Sequence, residues 1–209
     1  RSLSATNDYL KENLVNITLG VTHKFTDNLS LNATYLNSSY DEDLREHNQA
    51  NAYVKLADGS QSPSRILMQC LIRQRHFRNN SFNTYFNYNV TTGMLRHRIL
   101  LGYDYFQMAQ QAGSSAMTAG GYLLKDGTTT TAFKPANIAR YILDKDGNPK
   151  TNVPYYDLTS NNNNVERDYS KYVFVTTVLS PYLQYSHGIY LQEQLEAGPV
   201  KLLLGIRQE

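Results

Sequence analysis

Tryptophan is absent from this 209-residue chain, cysteine occurs once, and only six prolines interrupt it. A single cysteine forms no internal bridge, so a disulfide-stapled scaffold is excluded. No His/Cys cluster at zinc spacing accompanies Cys70, which reads as a packed thiol and not a nucleophile. No run of about 18 apolar residues occurs, which excludes a membrane-spanning helix. It does not exclude a spanning strand, which needs only about 9–11 residues with alternate ones apolar. No stretch resembles a signal peptide. Charge is scarce too: 18% of residues are charged and the formal net charge is +2. The nearest approach to a basic stripe, Arg65, Arg73, Arg75 and Arg78, is broken by apolar residues, so no nucleic-acid partner is expected.

What the chain has is tyrosine, seventeen of them, and alternation. From Leu14 to Leu36 the sequence reads LVNITLGVTHKFTDNLSLNATYL. Val15, Ile17, Leu19, Val21 and Phe25 share one parity, against Asn16, Thr18, Gly20, Thr22 and Lys24 on the other. After a polar break the pattern resumes at Leu29, Leu31, Ala33 and Tyr35. A period of two is strand periodicity, and two such runs around a short polar break predict a β-hairpin. SFNTYFNYNV and HRILLGYDYF predict a second hairpin, YLQYSHGIYLQEQL and VKLLLGIRQE a third. HRILLGYD and VKLLLGIR lie over one another, matching Arg98 with Lys201, Leu100 with Leu203 and Gly102 with Gly205. Leu100 and Leu203 are exceptions on the wet parity.

The expected fold is all-β: an antiparallel up-and-down meander of about six strands, in hairpins at about 13–37, 81–106 and 182–207. Long polar, irregular connections are expected at about 40–80 and 107–165. Connections this long are unusual unless they bind something. Within them KLADGSQ and ILDKDGNPKT predict small hairpins, because Asp-Gly and Gly-Asn pairs supply positive-φ positions; SNNNN reads as loop. Strict alternation of short and long connections is the pattern of an outer-membrane β-barrel, with short periplasmic turns and long extracellular loops. The rival reading is a soluble β-sandwich, a ligand- or glycan-binding module, which would turn the oily parity inward to a core.

Enzyme chemistry finds little purchase. His23, His47, His76, His97 and His187 are scattered singly, which favours structural or solvated roles. Asp41, Glu42, Asp43 and Glu46 beside Arg45 read as a solvated, charge-balanced loop. DKDGN at Asp144–Asn148 has its glycine in fourth place, where a calcium loop needs it sixth, and no glutamate follows in twelfth place, so it reads as a turn. Ser2 and Ser4 have no nucleophile-elbow context. For binding, the long connections offer Arg45, Arg65, Tyr122, Tyr141, Tyr155 and Tyr156, a set suited to an anionic or hydroxyl-rich ligand through charge-assisted hydrogen bonds and ring stacking. Tyr35, Tyr103 and Tyr105 on the oily parity suit a membrane interface.

YDEDLREH, LLGYDYF and above all IYLQEQLEAGPVKLLLGIR resemble TonB-dependent outer-membrane receptors, particularly ferrichrome-type siderophore receptors. The matching positions are Tyr190, Gln192, Glu193, Gln194, Leu202, Gly205 and Arg207, with Glu193 where Asp is commoner. The resemblance implies a 22-stranded barrel in the bacterial outer membrane, closed by a plug, contacting a TonB complex and importing a ferric siderophore as cargo with no resident cofactor. No stretch matches the plug or a TonB box, so residues 1–209 are expected to be one partial barrel domain, monomeric when complete and in contact with outer-membrane lipid. On this view the plug would cover Leu100 and Leu203, its backbone approaching at Gly102 and Gly205.

Overall fold

A computed structural model describes residues 3–160 and 165–209. Ser2 and the asparagine run 161–164, singled out above, lie outside the described residues. The strands are β1 (Tyr9–Lys24), β2 (Leu29–Lys55), β3 (Gln61–Thr92), β4 (Leu95–Gln110), β5 (Ser115–Ala119), β6 (Tyr122–Leu123), β7 (Thr129–Thr130), β8 (Tyr156–Asp157), β9 (Val175–Val178), β10 (Tyr182–Ala197) and β11 (Val200–Gln208). Two short 3-10 turns, Pro135–Arg140 and Tyr169–Lys171, complete the elements. The main sheet runs β1-β2-β3-β4-β10-β11, an antiparallel meander as the alternation predicts. No described helix is long and apolar enough to cross a membrane.

The chain divides into two units. The strand unit comprises 13–41, 76–112 and 180–209; the loop unit comprises 1–12, 42–75 and 113–179. In the strand unit three short turns join the hairpins. Thr26 organises the first, its hydroxyl accepting from the backbone N–H groups of Asn28 and Leu29. The other two are two-residue loops, Gly93-Met94 and Gly198-Pro199, with φ of 61° and 59° at the glycines. Positive φ at the first loop position suits the primed turns whose twist matches the flanking strands.

Register then decides what shares a face. Phe86 pairs with Leu101, Leu101 with Leu191 and Leu191 with Ile206. Asn87, Leu100, Gln192 and Gly205 pair likewise on the opposite face. The oily and wet parities are therefore continuous across four strands. A second sheet over the oily parity, which the sandwich reading needs, is not found among the described residues of this unit. Ile17, Leu19, Leu101, Leu202 and Leu204 are all exposed, while Leu31 and Ile99 are half-buried.

On the wet parity the residues behind the resemblance meet. Arg207 donates to Asp104 at 2.8 Å and lies over the Tyr190 ring, Asn83 donates to both Asp104 and Tyr190, and Gly188 leaves room for the guanidinium. Gly102 corrects an expectation. Its space is taken by the ring of Tyr190, its register partner, and a Cβ there would overlap that ring. An aromatic side chain shielding a strand glycine is intrinsic to the sheet and leaves no room for another backbone at that point.

The loop unit corrects a second one. Residues 40–55 and 61–80 are not an irregular connection but extensions of β2 and β3, joined through Leu56–Ser60. The Asp58-Gly59 turn closes them: Leu56 donates to the Ser60 carbonyl at 2.9 Å and Asp58 accepts from the Ser60 N–H and hydroxyl. The alternation fades here because polar residues take up both parities. Glu42 is the example. It is not solvated but buried, held at 2.7 Å by Arg73 Nε and at 2.6 Å by Arg75 Nη2, so two members of the suspected basic stripe serve an internal ion pair. Further along β3, β5 pairs at Cys70–Gln74 and β8 at Arg65 and Ile66, with β9 beyond β5. Two apolar clusters fill this unit, one around Val54, Leu67, Tyr122, Leu124 and Tyr141, the other around Met68, Cys70, Ala119, Val153 and Tyr156. Burial pushes the Cys70 thiol up to about 12, in keeping with a packed, unreactive sulfur.

Candidate ligand cleft

The loop unit carries a cleft of about 670 Å³, within the size range of small-molecule sites. The turn at Asp144–Asn148 forms one side: Asp144 Oδ1 accepts from the N–H groups of Asp146 and Asn148, both at 2.9 Å, and Asp144 N–H donates to the Asn148 carbonyl. DKDGN is thus a turn held by its own first carboxylate. Lys150, Thr151 and Asn152 continue the wall. Asn152 ties it down, donating to the Val173 carbonyl at 2.8 Å and accepting from the Val173 N–H at 2.9 Å. Arg65, on β3, lies over the Tyr155 ring with its guanidinium carbon 4.7 Å from the centroid. Five cations (Arg65, Lys145, Lys150, Arg167, Lys171) and four carboxylates (Asp144, Asp146, Glu166, Asp168) line the cleft, among Val54, Leu123, Pro149 and Pro154. Two of those carboxylates are already engaged, Asp144 in its turn and Asp168 with Lys171 at 2.9 Å. The arrangement suits a ligand bearing oxygen anions or hydroxyls together with an apolar or planar face.

Tyr172 of the lining is tied into the fold through its hydroxyl. Its hydroxyl meets His47 Nε2 at 3.2 Å, and His47 Nδ1 meets Asp8 Oδ1 at 2.7 Å. Asp8 accepts in addition from the N–H groups of His47 and Ala5, both at 2.8 Å. Burial pushes the Tyr172 phenol up to about 12, so it faces a ligand as a neutral hydroxyl. The chain spans residues 8, 47 and 172, and no local signal links positions so far apart. A lone histidine in a polar run carries no mark that distinguishes it from a solvated one.

The six residues expected to bind part company. Arg65 and Tyr155 line the cleft together. Tyr122, Tyr141 and Tyr156 do not: they are core residues with at most 4% of their surface exposed. The Tyr122 hydroxyl accepts from the Lys55 N–H at 2.8 Å, and the Tyr141 hydroxyl donates to the Ala132 carbonyl and accepts from the Lys134 N–H. A ring with its hydroxyl satisfied serves a core well, as those of Tyr122 and Tyr141 do, while Tyr156 packs in the second cluster with Met68 and Cys70. Arg45 is occupied elsewhere, its guanidinium between the rings of Tyr9 and Tyr169 at 4.8 and 4.0 Å and donating to the Asn7 carbonyl at 2.6 Å.

No model of a known protein family matches the sequence, and no curated protein does. Among solved structures the chain is similar to the siderophore receptor PiuA from Acinetobacter baumannii, with a TM-score of 0.60 and 16% identity. The fold is similar to that of part of this receptor. The match covers 96% of this chain and 26% of the receptor, so the chain spans about a quarter of that protein's length.

Proposed function

We propose that this chain is a section of barrel wall, with its ligand-gathering connections, from a bacterial outer-membrane receptor that takes up a ferric siderophore. The observation that carries the reading is the one-sided strand unit: a continuous oily parity, exposed across its strands, opposite a wet parity cross-linked by Asp104, Asn83, Tyr190 and Arg207. Lipid accounts for the first face and an aqueous or plugged lumen for the second. The likeness to a siderophore receptor and the motif resemblance support the cargo. The finer assignments rest on resemblance: a ferrichrome-like, hydroxyl-rich chelate, energy delivered by a TonB complex through a plug, and a complete barrel of 22 strands working as a monomer.

Within this reading the cleft is the chelate's contact, with Arg65 giving charge-assisted hydrogen bonds, Tyr155 a stacking face and Tyr172 a neutral hydroxyl. The reaction is translocation without covalent chemistry. The test uses the intact receptor in cells: growth on a ferric siderophore as sole iron source, and uptake of radiolabelled iron, should both be lost without TonB. Chelate affinity should fall about tenfold in Arg65→Ala. Uptake that survives loss of TonB sinks the transport reading, whereas unchanged affinity in Arg65→Ala and Tyr155→Ala sinks only the placement of the site. Excising residues 113–163, which a simple surface loop would tolerate, is the wrong experiment here. It would remove Ala119, Tyr122, Tyr141 and Val153 from both cores.

A further inference from the structure

Near the short turns the oily parity of the strand unit is interrupted by a hydrogen-bonded polar row. His97 Nε2 lies 2.6 Å from the Thr92 hydroxyl and His97 Nδ1 lies 2.6 Å from Glu193 Oε1. Register places all three on the oily face: His97 pairs with Val90 and with Leu195, while Glu193 pairs with Ile99 and Leu204. A carboxylate and an imidazole are costly against hydrocarbon, and the cost falls to nearly nothing at the interfaces. The row stands four residues from the end of β10, by the short turns. At the other end of the same parity a second polar group gathers, where the Tyr103 hydroxyl meets His187 Nδ1 at 2.7 Å and the Tyr105 and His187 rings are 5.1 Å apart. Eight residues of β4 separate His97 from Tyr105, about 26 Å along the strand and about 20 Å along the normal at a ~40° tilt. That is close to the height of the apolar band of an outer-membrane barrel, about 25 Å. The two polar groups therefore mark its two rims.

The row has a chemical sense. The Thr92 hydroxyl and Glu193 Oε1 take up the two ring nitrogens of His97, so the imidazole spends its hydrogen-bonding capacity inside the row. What faces outward is acceptor: the second carboxylate oxygen of Glu193, on a side chain 35% exposed, and the lone pairs of Thr92. No lysine or arginine stands on this parity along 82–92, 95–105, 187–197 or 200–208. A carboxylate acceptor framed by Val90, Ile99, Leu195 and Leu204 offers nothing to a bare anion and fits a donor-bearing cation carried on an apolar tail. We propose that Thr92, His97 and Glu193 bind the ammonium of an ethanolamine phospholipid in the leaflet nearest the short turns. The site rests on the barrel reading given above.

The test places the intact receptor in lipid discs of equal parts phosphatidylethanolamine and phosphatidylcholine with matched acyl chains, and reads retained lipid by native mass spectrometry. Choline keeps the charge but has no N–H, so the ethanolamine lipid should be retained roughly threefold over it. In E193Q the ratio should return to about one, while heat-modifiable mobility on gels, the mark of a folded barrel, is kept. Equal retention by the wild-type receptor, or a preference that persists in folded E193Q, overturns the site and leaves the barrel intact. Loss of the preference on adding soluble phosphoethanolamine would make it a site for a free amine and overturn the lipid assignment. A receptor that stays in solution without lipid overturns the barrel reading and the site with it.

Discussion

The strand unit and the loop unit bury their apolar side chains by opposite rules. Among the described residues every buried hydrophobic side chain, from Ala5 to Tyr156, belongs to the loop unit. Tyr122, Val153 and Cys70 are at most 1% exposed there, whereas Ile17, Leu204 and Ile206 of the strand unit are 54%, 53% and 71% exposed. One unit is built as water-soluble domains are, with apolar groups inside and hydroxyls paired. The other has no interior and is held by its ladder and by polar contacts on its wet face. The strand unit leaves its apolar parity exposed, and the reading proposed above assigns that face to lipid.

The sharpest way to break the comparison is to hollow out the loop unit. Tyr122→Ala removes a ring that touches Phe133 and Tyr141 and orphans the Lys55 N–H. It should cost about 3–5 kcal/mol. Hydrogen exchange in the intact protein should show protection lost along β5, β6 and β8 and retained in β10 and β11. Equal loss in both sets would mean that the two units are one cooperative core.

Next in size is the reciprocal change. Leu101→Arg, midway between the two polar rims, should cost about 2–4 kcal/mol when folding is measured in lipid vesicles, while Asn32→Arg on the wet parity should cost far less. Equal costs would remove the face assignment. A smaller effect, about 1–3 kcal/mol, is expected for Gly102→Ala, because the added methyl must displace the Tyr190 ring. Gly205→Ala meets only the Leu191 carbonyl, 3.8 Å from the new Cβ, and should be nearly silent. A reversed order would mean that an outside segment, and not Tyr190, uses the space.

These contrasts show what could be read from the residues. The strand unit was legible because one rule, period two, governs each strand there, and a one-residue slip would move the whole oily set to the wrong face. Even Gly93 and Gly198 announce their turns. The extensions of β2 and β3 were not legible, because polar residues such as Glu42, Arg45 and His47 take up both parities and periodicity disappears. Of the six residues expected to bind, Arg65 and Tyr155 line the cleft. Tyr122, Tyr141 and Tyr156 lie in the core instead, since a tyrosine in a polar connection looks the same whether its ring meets a ligand or a packed interior. Tyr172, His47 and Asp8 come together only through tertiary structure.

Alkali separates the units by pH alone. Burial raises the Cys70 thiol from 9.0 to about 12 and the Tyr172 phenol from 10.0 to about 12, and both groups lie in the loop unit. The unfolded chain releases these protons first, so between about pH 9 and pH 12 the folded state holds more protons than the unfolded one. Stability of the loop unit is therefore fully present below about pH 9 and falls as pH rises through that window, with a limiting slope of about 1.4 kcal/mol per pH unit for each group. Cys70→Ala should remove the part of the slope that begins near pH 9 and leave the part that Tyr172 contributes. Hydrogen exchange across β5 and β6, followed on the alkaline side with and without that substitution, reads both. A flat profile in the unsubstituted protein would show that the thiol ionises in place, reached by water, and that the second core is not dry.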